Sequence, residues 1–174
     1  CMFEKKDYVI EISKLRKGEN QAHLLIDKKL FEEFDCEEAQ EIDVNLSMQI
    51  IKSERMIEIH FSFDGFMKLV CGRCLSSMTL PIKKQTALYV KFGETYDEPD
   101  IEERIIPEGE NDIDLLSYIY EELRIEIPIS PMHKSIEDCD REMIERLEGN
   151  RLESHIDNAE IDPRWEKLKE LKNK

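Results

Sequence analysis

No apolar run in the 174 residues approaches the roughly twenty needed for a helix to cross a bilayer, and the opening residues do not read as a secretory leader. A soluble, cytoplasmic protein is the expectation. Glycine and proline are scarce, six of each, and no glycine-rich loop built to cradle a phosphate occurs. A nucleophile elbow and an H-E-x-x-H helix are missing too, so the common signatures of hydrolases and zinc proteases are not present. A non-enzymatic protein without a small-molecule substrate is expected. The acid pair Glu102-Glu103 has no visible catalytic partner and reads as surface charge. Bases are outnumbered, 25 against 40 acids, for a net charge of −15. That balance opposes phosphate binding by the whole surface and favours a basic protein partner. Of five cysteines, Cys1 precedes Met2 and reads as an addition ahead of the natural start. The other four suit a reduced, metal-binding protein better than a disulfide scaffold.

The charge that is present is unevenly placed. Glu94 to Glu126 holds thirteen acids and two bases. Gly65 to Phe92 holds five bases, Lys68, Arg73, Lys83, Lys84 and Lys91, and no acid. The acidic stretch is expected either to be a solvated face or to meet a basic partner, and the basic stretch offers one candidate face for RNA.

Period-two alternation marks the body. Ile42, Val44, Leu46, Met48 and Ile50 alternate with polar residues, as do Ile57, Ile59, Phe61 and Phe63. Each segment predicts a strand with one buried and one wet face, paired as a hairpin through residues 52–55. His60 falls on the wet face. Tyr8–Ile12, His23–Ile26, Phe66–Val70, Met78–Ile82 and Ala87–Phe92 read as further strands, with Pro81 pointing to an edge position. Lys28–Phe34 predicts a short helix, and Cys36 beside it a small buried hydrophobe. Gly93–Asn111 reads as a long acidic loop with a short edge strand at Ile105-Ile106. A helix from Leu115 to about Ile125 follows, capped by Asp112 or Asp114, with Leu116, Ile119, Tyr120 and Leu123 on one face. The expected fold is α+β: an antiparallel, barrel-like β-rich body over residues 2–148 followed by a few short helices.

The most informative stretch lies between two of those strands. Cys71 and Cys74 form a C-x-x-C knuckle whose sulfurs can share one metal ion, with Gly72 expected to let the backbone fold back and Arg73 to point outward. A structural zinc needs four ligands. Pro128 and Pro131 turn the chain and deliver His133 and Cys139, so three thiolates and one imidazole complete a closed site. The alternative for the same residues is two buried thiols and a loop histidine. A redox dithiol is a third reading, but such pairs usually open a helix after a strand, and here strand patterns lie on both sides. Asp138 or Asp140 caps a following helix carrying Met143, Ile144 and Leu147, whose start should ease ionisation of Cys139.

Residues 149–160 read as a polar linker. Asp162-Pro163 then starts a final helix over residues 161–174, with Trp165, Leu168 and Leu171 along one ridge. About ten residues cannot hold a helix alone in water, so the ridge must dock on the body or on a partner.

Cys71-Gly72-Arg73-Cys74-Leu75, Ile113-Asp114-Leu115-Leu116, Ile127-Pro128-Ile129 with His133 and Cys139, and Asp162-Pro163-Arg164-Trp165 together resemble the YceD family of bacterial and plastid large-ribosomal-RNA accumulation proteins. The resemblance implies a factor in large-subunit ribosome biogenesis, with a ribosomal protein or pre-ribosomal particle as partner. Two rivals follow from the residues themselves. One is a metal-dependent or thiol-redox enzyme using Cys71 and Cys74. The other is a direct RNA binder through Lys68, Arg73, Lys83, Lys84 and Lys91, with Trp165 as a further partner contact.

Overall fold

The structure is a computed structural model that describes residues 5–100 and 102–149. The expected final helix, Trp165 and nearly all of the linker lie outside the described residues.

Three long strands form the centre. They are β3 (Ala39–Lys52), β4 (Met56–Val70) and β5 (Ser77–Gly93), an antiparallel meander. With β1 (Val9–Glu11), β2 (Gly18–Asp27), β6 (Asp97–Asp100), β7 (Glu103–Pro107) and β8 (Asp112–Asp114) they make two sheets. The large sheet runs β2-β3-β4-β5-β7-β6, and β1 pairs with β8 in a separate ribbon. The fold is α+β as expected, but the body is not a barrel. β2 and β6 form opposite edges of an open sheet. One face of that sheet is already covered by helices, so closure is not needed to bury it.

The predicted alternation holds. Ile42 through Ile50 and Ile57 through Phe63 bury every second residue on one shared face. Each fully buried aliphatic or phenyl group contributes about 1.5–3 kcal/mol of transfer free energy. The face is covered by α1 (Lys29–Glu32) and α2 (Leu116–Arg124). Tyr118 of α2 lies against Phe61, and Tyr120 stacks on Phe34 with ring centroids 4.0 Å apart. Asp114 starts α2 by accepting the Leu116 N–H at 2.8 Å. Cys36 is buried beside this layer, as expected.

Several strand boundaries differ from the sequence reading: the strand expected at His23–Ile26 starts already at Gly18. Ile57–Phe63 and Phe66–Val70 are one strand, because Gly65 continues the core-face parity opposite Val44. A Cβ at Gly65 would stand 2.1 Å from the Asp43 carbonyl oxygen, so the bare backbone lets β3 pass. Met78–Ile82 and Ala87–Phe92 likewise fuse into β5. Pro81 keeps its edge position, since β7 joins β5 only from Tyr89 onward.

The acidic segment is not one long loop. It folds into β6 and β7, with β7 parallel to β5 and β6 outermost. Arg104 explains the order: only 7% exposed, it binds Glu98 at 3.1 Å, the Asp114 carbonyl at 2.9 Å and the Ser117 hydroxyl at 3.4 Å. One guanidinium ties β6, β7, β8 and α2 together.

Candidate metal centre

β4 ends at Val70 and β5 begins at Ser77, so the knuckle caps the sheet's longest hairpin. Its tight turn is closed by Cys71 N–H to the Ser76 carbonyl and Leu75 N–H to the Cys71 carbonyl, both at 2.9 Å. The residue with left-handed backbone is Leu75, at φ 60°, and not Gly72. A branched side chain in that conformation stores of order 1–3 kcal/mol, strain that surrounding structure must hold. Gly72 serves otherwise. Its N–H donates to the Pro131 carbonyl at 2.7 Å and latches the knuckle to the proline turn.

That turn follows from the sequence. α2 stops at Arg124, and Pro128 and Pro131 prevent its continuation. A short helical turn, Ile136–Asp138, then carries a capping box built by Ser135 and Asp138. Asp140 accepts the Met143 N–H at 2.9 Å and starts α3 (Arg141–Gly149). Met143 and Ile144 of α3 pack against the cysteines.

The outcome is convergence. The ligand atoms of Cys71, Cys74, His133 and Cys139 all lie within 4.8 Å of one another. His133 Nδ1 is 3.6 Å from Cys74 Sγ and 3.7 Å from Cys139 Sγ. All three cysteines are buried. Four converging donors, three sulfurs and one imidazole, are a set able to hold a metal ion.

The local field differs between the thiols. The Ser76 hydroxyl, 3.1 Å from Cys74 Sγ, is the main cause that lowers the Cys74 thiol to about 6, against burial and helped by backbone N–H groups of Asp140 and Ser76. Burial pushes Cys71 up, yet backbone N–H groups of Cys74, His133 and Arg73 outweigh it and leave it lowered. His133 is raised, chiefly through its bond to Cys71. Cys139 is raised, by burial first and then by Cys74, so the expectation that a helix start would ease its ionisation is corrected.

Arg73 departs from its predicted outward pose. It folds back, with Nη1 3.8 Å from Cys139 Sγ and Nη2 3.9 Å from Met132 Sδ. Sequence reading missed this role because an arginine at a turn tip normally reads as solvated.

Of the other predicted basic residues, Lys68, Lys83 and Lys91 share the sheet face opposite the core by register, whereas Lys84 does not. Lys68 is held by Glu41 at 2.6 Å and Lys91 by Glu103 at 2.7 Å. Lys84 stands on the core side, opposite Phe63, and binds Glu122 at 2.7 Å and Glu126 at 3.1 Å. Lys83 points to the opposite face and is exposed. Trp165 lies outside the described residues. No described helix is long and apolar enough to cross a membrane.

No curated protein and no solved structure shows a match to the chain. A protein-family comparison matches residues 59–172, a span that contains all four converging residues, to the large ribosomal RNA subunit accumulation protein YceD, and the chain belongs to that family.

Proposed function

We propose that this protein supports accumulation of large-subunit ribosomal RNA as a binding protein rather than an enzyme, and that Cys71, Cys74, His133 and Cys139 hold one structural zinc ion. The family match over residues 59–172 carries the ribosomal reading. The donor geometry supports zinc. Bonds of about 2.3 Å to sulfur and about 2.0–2.1 Å to nitrogen, at a tetrahedral angle, separate N and S by about 3.6 Å. The two observed N···S distances are 3.6 and 3.7 Å.

In this reading the ion staples the β4–β5 knuckle to the chain after α2, where few other contacts hold it. A dication with three thiolates leaves one net negative charge, and the Arg73 guanidinium beside Cys139 offsets it. Four protein donors complete the shell of a structural site, whereas catalysis needs an open position. Burial of Cys71 and Cys74, at 0% and 2% exposure, also disfavours attack by them as redox thiols.

For the partner, the surface charge favours a basic protein. Glu98, Glu103, Glu122 and Glu126 are spent on internal ion pairs, but Glu94, Asp97, Glu102, Glu108 and Glu110 are exposed. Direct RNA binding by the predicted basic stretch is the weaker reading, since Lys68, Lys84 and Lys91 are already neutralised. Depletion of the protein in its native host should lower the ratio of large- to small-subunit rRNA. Wild-type protein should restore the ratio, and Cys74→Ser should fail to do so. An unchanged ratio on depletion would overturn the ribosomal reading.

A further inference from the structure

The described molecule leaves large apolar side chains exposed mainly at one end. Val70, Leu75, Ile125, Ile129, Met132 and Ile136 surround the knuckle and the proline turn, with exposures from 38% to complete for Ile129. Within this area Leu69, Val70, Ile127, Pro128, Ile129 and Pro131 line a groove of about 520 Å³. Glu37, Glu38 and Arg124 complete its wall, and Arg124 is bound to Glu38 at 2.6 Å. The groove is therefore apolar along its floor and acidic at its rim, with Glu37 exposed.

We propose that this groove is the docking site of the chain's own C-terminal segment, residues 162–171, with Trp165, Leu168 and Leu171 facing the apolar floor. Three observations point to this occupant. The first is complementarity of type: Trp165, Leu168 and Leu171 recur at helical spacing in an otherwise polar, charged stretch of sequence, and the groove floor is apolar. The second is charge. Arg164 to Lys174 holds five bases against two acids, opposite in sign to the net charge of the rim, where Arg124 offsets Glu38 and Glu37 remains.

The third is reach. α3 ends at Gly149, sixteen residues before Trp165, and an extended chain spans about 3.3–3.6 Å per residue, up to roughly 55 Å. A body of this size has a radius of gyration of about 15 Å, so the tether reaches the groove with slack. A tether of that kind holds its end at an effective concentration on the order of millimolar. Even a weak groove is then filled. Docking would cover the exposed apolar end and make the proline turn the meeting point of knuckle, body and tail. The proposal goes beyond the ribosomal reading and can fail independently of it.

Trp165 is the only tryptophan, so its fluorescence reports docking directly. In the full-length, zinc-supplemented protein its emission should be blue-shifted and its acrylamide quenching at least threefold weaker than that of free tryptophan. Ile129→Asp places a carboxylate on a fully exposed residue, and Glu37→Lys reverses the rim charge, so neither should disturb the core. Ile129→Asp should shift emission towards that of free tryptophan and raise quenching about threefold, and Glu37→Lys should do so in part at low salt. Unchanged far-ultraviolet circular dichroism checks the fold. A solvent-exposed Trp165 in the wild-type protein overturns the proposal, and so does a shielded Trp165 that neither variant affects. Shielding that disappears on dilution would assign the groove to a second copy's tail and overturn intramolecular docking.

Discussion

Lys84→Met should destabilise the protein severely for an unmutated-looking surface lysine. Lys84 and Glu122 form an ion pair at 2.7 Å with side chains only 17% and 7% exposed. Lys84 Nζ also donates to the Glu122 carbonyl at 3.1 Å and reaches Glu126 at 3.1 Å. Removing one partner of a buried pair leaves the other charge uncompensated, which costs about 3–5 kcal/mol when burial is complete. Lys84 retains some water contact, so about 2–4 kcal/mol is expected. At roughly 2–4 °C per kcal/mol for a chain of this length, Tm should fall by about 5–15 °C. Lys84→Met combined with Glu122→Gln should recover most of the loss, because no orphaned carboxylate remains. The pH dependence has a defined sign. Burial lowers the Lys84 ammonium, but the bonds and charges of Glu122 and Glu126 outweigh it and leave its pKa raised. Its stabilisation is therefore present below the ordinary lysine value, near ~10.4, and is lost as pH rises through the raised value. Thermal and urea unfolding at pH 7 measure the effect. A Tm within 1 °C of wild type for Lys84→Met would refute the structural role and return Lys84 to the pool of residues available to RNA.

Arg73→Ala should weaken zinc affinity by about 10–100-fold in a competitive chelator titration while leaving the body's unfolding midpoint nearly unchanged in excess zinc. Gly65→Ala should lower stability by more than about 2 kcal/mol in urea unfolding, since the added methyl would meet the Asp43 carbonyl at 2.1 Å and backbone must move. Tyr8 and Tyr118 are both pushed up to about 12, chiefly by burial. Their neutral forms belong to the folded state, so stability should be constant below the ordinary value near ~10 and fall between there and about pH 12. Tyr118→Phe should remove part of that alkaline loss and cost about 1 kcal/mol at neutral pH, by deleting the hydroxyl's bonds to Thr86 and the Ala87 carbonyl.

The readable parts of the sequence were those governed by local periodicity. The alternation of Ile42–Ile50 and Ile57–Phe63 is a property of neighbours two apart, and it named the buried face correctly. Metal-ligand spacing is equally local, so the Cys71/Cys74 and His133/Cys139 pairs could be singled out, and the proline turn explained how they could meet. What was not readable depends on distant partners. β6 is rich in acids and looked like loop, and the short strand expected at Ile105-Ile106 is β7, longer than expected and not at the edge, because Arg104 and the free edge of β5 order both. Lys83 and Lys84 looked like one basic pair. Period two sends them to opposite faces, and only the position of Glu122 on α2 shows what Lys84 is for. The barrel expectation failed for a similar reason: many short strands suggest closure, but α1 and α2 cover one sheet face and make it unnecessary.

X-ray absorption on protein purified from its native host without added metal, together with metal quantification, tests the central claim most directly. One zinc per chain is expected, with three sulfurs at about 2.3 Å and one nitrogen at about 2.0–2.1 Å, and loss of one sulfur from the shell in Cys139→Ser. Protein that binds no zinc even when it is supplied, or a shell that Cys139→Ser leaves unaltered, would contradict it.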